Sequence, residues 1–228
     1  MTKLILILIL SLCSIQTEKD KRIEKFEFKL GREKALVLDK AVLVLDSIVS
    51  DMYETGNINS NYQCFLNDIA QNNIDGEAFY KRKEIINLNN QFKVCGLRND
   101  VYLQLDTSFF ENDCLVNRYS TLNSDSLADD YENEIREFFP TNHLDKSSID
   151  SIINKKAPAL IHNYSGNYFS ALSLVQENDS LLINYLEIKE LLGSISSSII
   201  AGLFLNNKAD FNEYFTKRIF TIEITMWE

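Results

Sequence analysis

The stretch EKALVLDKAVLVLDSIVSDMYE, residues 33–54, carries the strongest helix signal in the chain. Its apolar residues recur at three- and four-residue steps, and Gly56 follows as a stop signal. The apolar stripe is wide, because Val37, Leu43 and Val44 extend it beyond one face. The sequence therefore predicts that this helix is buried on more than one side and is central to the core.

Two further helices are predicted before residue 97. The first begins at an Asn59 or Ser60 cap and ends before the turn at Asp75. The second spans about Glu77–Phe92 and stops at Gly96.

The rest of the chain is predicted from the same periodicity and from its turn residues. Val101–Leu105 alternates like a strand but is as short as a helical turn, so both interpretations stay open. Asn112–Asp125 is predicted to be a loop. Helices are predicted over these ranges: Ser126–Phe139, Ser147–Lys155, Ala159–Gln176 with a break at Gly166, Asp179–Leu192, Ser194–Leu205 and Ala209–Trp227.

The last of these segments has two competing periods. Phe220, Ile222 and Ile224 alternate like a strand, whereas Phe215, Ile222 and Met226 fit a helix. The length of the run, which has no Gly or Pro, favours the helix.

Composition limits the fold class. With two prolines and seven glycines in 228 residues, the chain lacks the turn residues of a β-sandwich or barrel. The sequence predicts a mainly α protein, with residues 31–228 forming a single helical domain or irregular helical bundle that leaves room for a minor strand pair.

The N-terminus has the layout of a secretory signal. Lys3 precedes the apolar run Leu4–Leu10, and the chain turns polar after Cys13. The apolar run is about half the roughly 20 residues that a membrane-spanning helix needs.

The segment Leu10-Ser11-Leu12-Cys13 resembles the lipobox of bacterial lipoproteins, in which the Cys thiol receives a diacylglyceryl group before cleavage. Leu12 stands where that class favours Gly, Ala or Ser, and an ordinary signal cleaved nearby is the alternative. The resemblance implies a signal peptide at residues 1–12 and lipidation of Cys13, with residues 13–30 as lipidated N-terminus and tether. The polar stretch from Ser14 to about Lys25 is interpreted as that tether or as the start of the first element.

The resemblance also implies a location. The protein is expected to be lipid-anchored in the bacterial cell envelope, where it faces the periplasm or the medium. Ser14 after Cys13 favours the outer membrane. The lipid is the expected contact with the membrane. The net charge of −10 and pI of about 4.8 argue against nucleic acid and against attraction of the domain to anionic lipid.

Cys64, Cys95 and Cys114 remain after Cys13 is assigned to lipid. Cys95 and Cys114 flank the predicted loop and are the preferred disulfide, while pairs with Cys64 and three unpaired thiols stay open. No metal site is predicted, because the cysteines form no C-x₂-C pair and the two histidines are isolated. No cofactor is expected.

Sequence motifs of hydrolases, P-loop proteins and dinucleotide-binding proteins are missing. The candidate ligand-facing patch consists of His162, Tyr164 and Tyr168, although a lone His beside Tyr is more often a packed residue. The sequence favours a non-enzymatic module that binds a protein partner in the envelope. An envelope hydrolase with a dispersed acidic and His site, and an immunity protein against an exported toxin, remain as alternatives.

Overall fold

The computed structural model describes residues 19–111, 114–120, 134–140, 161–193 and 195–226. The helices are α1 (19–30), α2 (Arg32–Met52), α3 (Ile58–Ala70), α4 (Gly76–Tyr80), α5 (Lys83–Val94), α6 (Leu97–Val101), α7 (Asn167–Ser173), α8 (Ser180–Leu192), α9 (Ser197–Asn206) and α10 (Tyr214–Thr225). The strands are β1 (Gln104–Glu111), β2 (Cys114–Ser120) and β3 (Glu134–Pro140). The predicted mainly α class is confirmed.

Helix α10 lies at the centre of the core. Every residue from 219 to 226 is buried, so the helix is covered on all sides. The ring of Phe220 packs against four other aromatic rings, with centroids 5.2–6.0 Å away: Tyr62, Phe65, Phe204 and Phe211. A helix surrounded in this way carries apolar residues on every side, which explains why its sequence fits both a helix and a strand period.

Helix α2 is not the central element that its wide apolar stripe predicted. Leu38 and Leu45 are fully buried, whereas Leu36 is 53% exposed and Leu43 is 67% exposed. Val37 and Val44 are partly buried at the edges of the core. The apolar stripe is wide because it includes Leu36 and Leu43, which no described element covers.

Residues 19–30 form helix α1, which folds onto the core. The prediction of a tether over residues 13–30 is therefore wrong for this part of the chain. Phe26 is fully buried, and its ring packs against Phe215 of α10 with centroids 5.5 Å apart. Gly31 separates α1 from α2 with a φ of 95°, a conformation that residues with a Cβ rarely adopt. Its N–H bonds to the carbonyl of Glu27 and its carbonyl accepts from Ala35, so it ends one helix and begins the next.

Several helix boundaries differ from the prediction because of local capping. The cap of α3 is Asn57, whose side chain accepts from the Ser60 N–H, and not Asn59 or Ser60. The single helix predicted over Glu77–Phe92 is divided into α4 and α5, because Arg82 takes an extended ψ of 132°. The helix predicted over Ala159–Gln176 is wrong for residues 161–165, which form an extended bridge and a turn, and α7 begins directly after Gly166.

The sheet has three antiparallel strands in the order β1-β2-β3. Strand β2 lies inside the predicted loop Asn112–Asp125, and β3 includes residues 134–139, the end of the segment predicted as the helix Ser126–Phe139. Both predictions were wrong there, because strands form through cross-strand partners that local sequence does not contain. Ser108 of β1, for example, donates to Asn117 of β2 at 2.8 Å.

The predicted disulfide between Cys95 and Cys114 is not formed, and Cys64, Cys95 and Cys114 are free thiols. Cys95 caps the end of α5, where its Sγ lies 3.7 Å from the Phe92 carbonyl oxygen. Burial raises the pKa of the Cys95 thiol. Cys114 lies opposite Glu111 in the register of the β1–β2 hairpin.

Some predictions fall outside the described residues: the signal peptide with Cys13, residues 121–133, His143 and the helix Ser147–Lys155. Within the described ranges, every helix is too short or too polar to cross a bilayer.

Two leucines on α2 provide a matched test of this packing. Leu45→Ala is expected to lower the free energy of unfolding by about 2–5 kcal/mol, because it opens a cavity in the core. Leu43→Ala, the same change on the exposed face, should alter it by less than about 0.5 kcal/mol. Urea unfolding followed by circular dichroism measures both. Equal losses would contradict the orientation of α2.

Candidate functional site

His162 is held by a short extended segment that runs along the end of α6. The Asn163 N–H donates to the Val101 carbonyl at 2.9 Å, and the Asn163 side chain donates to the Asn99 carbonyl at 2.7 Å. These bonds place His162 opposite Tyr102 in an antiparallel bridge, with the two ring centroids 5.0 Å apart. The backbone of α6 therefore determines where the imidazole lies.

Gly166 allows this close approach. A Cβ atom at this position would lie 2.2 Å from the carbonyl oxygen of Asp100, closer than any real contact. Only glycine lets the segment 161–166 pack directly on α6 before α7 begins.

The imidazole meets a buried salt bridge between α8 and α10. Lys189 Nζ lies 2.7 Å from Glu223 Oε2 and 2.9 Å from His162 Nε2. Tyr185 donates its hydroxyl to the other Glu223 oxygen at 2.7 Å. Lys189 is 1% exposed and Glu223 is 3% exposed. These four residues, His162, Tyr185, Lys189 and Glu223, are called the Lys189 cluster below.

The hydrogen bonds determine the protonation of His162. An ammonium group only donates, so the Lys189 Nζ must donate to Nε2, and the imidazole is neutral with its proton on Nδ1. Burial, together with the smaller effect of the positive charge of Lys189, lowers the pKa of His162 to about 3. Nδ1 is buried and has no hydrogen-bond partner among the described residues.

Aromatic hydroxyl groups surround the cluster. Burial, reinforced by the negative charge of Glu223, raises the pKa of Tyr102, Tyr168 and Tyr185. Tyr164 donates its hydroxyl to the Lys189 backbone carbonyl. The tyrosines therefore stay protonated and act as hydrogen-bond donors or packing groups.

The predicted ligand-facing patch is not one surface. His162 and Tyr168 are buried, and only Tyr164 is partly exposed. His162 was predicted from the sequence, whereas Lys189 and Glu223, the two charged residues that it meets, were not. The available signal was a single Glu in the apolar run 219–226, together with a Lys four residues after the buried Tyr185.

Two clefts are lined entirely by described residues of the regions around α3, and neither contains a member of the Lys189 cluster. The first, of about 230 Å³, lies between α3, α4 and the start of α9, with Phe65, Phe79 and Tyr80 in its wall. Its volume is below the roughly 300 Å³ at which small-molecule sites usually begin. The second, of about 360 Å³, is a shallow polar depression at the α2–α3 connection.

The described ranges contain no ready-made metal site, because no three His, Cys, Asp or Glu side chains converge in them.

Comparisons of the chain with protein-family models, with curated proteins and with solved structures found no match. The assignment of function therefore depends on the geometry of the chain itself.

The salt bridge can be tested by removing one charge or both. Glu223→Gln leaves the Lys189 ammonium buried without a counter-charge and should lower the free energy of unfolding by about 3–5 kcal/mol. The double variant Lys189→Met/Glu223→Gln removes both charges and should be more stable than Glu223→Gln alone. Urea unfolding provides the comparison. Strictly additive losses would show that the two charges are not coupled.

Acid stability tests the neutral state of His162. The unfolded chain binds a proton at this residue below its ordinary pKa of 6.5, whereas the folded protein does not until about 3. The contribution of neutral His162 to the free energy of unfolding is therefore fully present above pH 6.5. It is lost as the pH falls towards 3, at about 1.4 kcal/mol per pH unit.

The variant His162→Gln keeps an acceptor for Lys189 but does not titrate. Between pH 6.5 and 5 it should lose about 2 kcal/mol less than the native protein in the same unfolding assay. Parallel losses in the two proteins would contradict a neutral, buried His162.

Proposed function

We propose that the protein is a lipid-anchored module of the bacterial cell envelope that binds another envelope component and does not catalyse a reaction. One observation carries this proposal. The reactive side chains that come together in the described residues form a salt bridge and hydrogen bonds with one another. Lys189, Glu223 and His162 form a buried set in which the two charges pair and Nε2 of His162 accepts from Lys189, and only Nδ1 of His162 lacks a partner among the described atoms of these three side chains. Such a set holds helices in register.

The cluster lacks what the hydrolase alternative requires. A general base needs a free lone pair and a pKa near the working pH. The Nε2 lone pair of His162 accepts from Lys189, and its pKa of about 3 lies far below neutrality. Catalysis at this cluster would first require the Lys189 salt bridge to open.

Binding is supported by apolar side chains around the α8–α9 connection. Leu191 is 80% exposed and Leu192 is 60% exposed at the end of α8, and Ile199 is half exposed in the first turn of α9. Large apolar side chains in this setting are typical of protein interaction surfaces.

The position of these leucines suits a partner located away from the membrane. The start of α8 is tied to α1, because Arg22 lies 3.0 Å from Asp179. A helix of 13 residues is about 20 Å long, so Leu191 lies at the opposite end of α8 from this contact. The proposed anchor precedes α1, and the apolar end of α8 is the end farther from the contact with α1.

Co-purification of the intact protein from its own membranes tests this proposal. A partner protein should be retained at a fixed stoichiometry, and Leu191→Asp should reduce its recovery at least tenfold. Leu174→Asp is the matched control, because Leu174 is also exposed but follows α7 near the start of α8. Recovery of a small molecule without a partner would overturn the binding proposal.

The anchor is tested in the same cells by labelling with radioactive palmitate. Label should appear in the native protein and be lost in Cys13→Ala. Equal labelling of both proteins would refute lipidation at Cys13.

A further inference from the structure

The outer sides of α1 and α2 expose large apolar side chains among charged ones, of which the majority are basic. Phe28 is 91% exposed at the middle of the outer side of α1, and Leu36 and Leu43 are exposed two turns apart on α2. Five exposed basic residues accompany them: Lys21, Lys25, Lys29, Arg32 and Lys40. These eight residues are called the α1–α2 outer face below.

Both helices turn this face away from α10. Phe26 of α1 packs on Phe215, and Asp39 of α2 bonds to Arg218, so α10 covers the inner side of each helix. Spacings of three and four residues then place the exposed positions on the opposite side. The outer face is continuous with neither the core nor the two clefts.

Both signs of charge on these helices are used inward, and the bases among them are Lys34, which pairs with Asp100, and Arg22, which pairs with Asp179. Asp46 bonds to Lys217 at 2.6 Å and Glu27 accepts from Tyr214 at 2.8 Å, so both carboxylates are used inward, as is Asp39. Over residues 20–47 the exposed groups are five bases and three acids, the latter being Asp20, Glu24 and Glu33, which gives a local balance of +2. The net charge of −10 argues against attraction of the domain as a whole to anionic lipid, but the balance of this face has the opposite sign. None of the five bases forms an ion pair with a described residue.

The proposed anchor would hold this face close to a membrane. Five residues, 14–18, separate Cys13 from Lys19 at the start of α1. Even fully extended, this connection spans at most about 20 Å. Helix α1 then stays within that distance of the bilayer surface.

We infer that the α1–α2 outer face lies on the surface of an anionic bilayer, with the basic groups at lipid headgroups and Phe28, Leu36 and Leu43 at the boundary of the acyl chains. This inference rests on the proposed lipid anchor and adds a second contact to it. Basic residues interleaved with exposed apolar ones are typical of helices that lie in the interface. The acidic remainder of the protein is repelled by the same surface, which orients the domain.

Lysine footprinting of the intact lipoprotein in vesicles tests the orientation. The protein is reconstituted into phosphatidylcholine alone and into phosphatidylcholine mixed with phosphatidylglycerol, and acetylation of each lysine is measured by mass spectrometry. In the anionic vesicles, acetylation of Lys21, Lys25, Lys29 and Lys40 should be about fivefold slower. High salt should reduce the difference, because it screens the headgroup charge.

Controls come from the same molecule. Lys81 and Lys83 are exposed outside this face and should react equally in both vesicles. Lys25→Glu/Lys29→Glu should abolish the protection of Lys21 and Lys40, whereas Lys81→Glu/Lys83→Glu should leave it unchanged.

Flotation of the vesicles separates the two ideas. If the protein floats with both vesicles but Lys21, Lys25, Lys29 and Lys40 react equally in them, the orientation is overturned and the anchor stands. If the native protein floats no better than Cys13→Ala, the anchor fails and the orientation fails with it.

Discussion

The Lys189–Glu223 salt bridge is the interaction on which the packing around α10 depends. Moving either charge out of water costs several kcal/mol, and the two groups offset that cost only when they meet at hydrogen-bond distance. Helix α8 must therefore dock on α10 in the one register that puts Lys189 opposite Glu223. Tyr185 and His162 complete the hydrogen bonding, which also locates the segment before α7.

Local periodicity was sufficient to predict most of the helices but not how they are arranged. Helices α2, α3, α8, α9 and α10 were predicted in type, because three- and four-residue spacing is a property of a single segment. Periodicity measures the width of an apolar stripe and not what covers it, so α2 was placed at the centre instead of α10. Strands β2 and β3 were missed because pairing between segments stabilises them.

The candidate site was predictable only in part. His162 drew attention as a polar residue among aromatic ones, yet its meaning changed once its partners were known. Lys189 and Glu223 are 34 residues apart on different helices, and nothing in either local sequence indicates that they meet. The fully buried Lys189 was the least expected result, because lysine is almost never buried without a partner and sequence alone does not reveal partners.

The late position of α10 in the chain has a consequence for biosynthesis. Phe26 and Glu27 of α1 contact Phe215 and Tyr214, which lie nearly 190 positions later in the chain and are therefore synthesised last. At typical rates of about 5–20 residues per second, a ribosome needs roughly 10–40 s to make the intervening chain. During that time the helices that will surround α10 have no centre to pack on, so the core can be completed only after the end of the chain has been made.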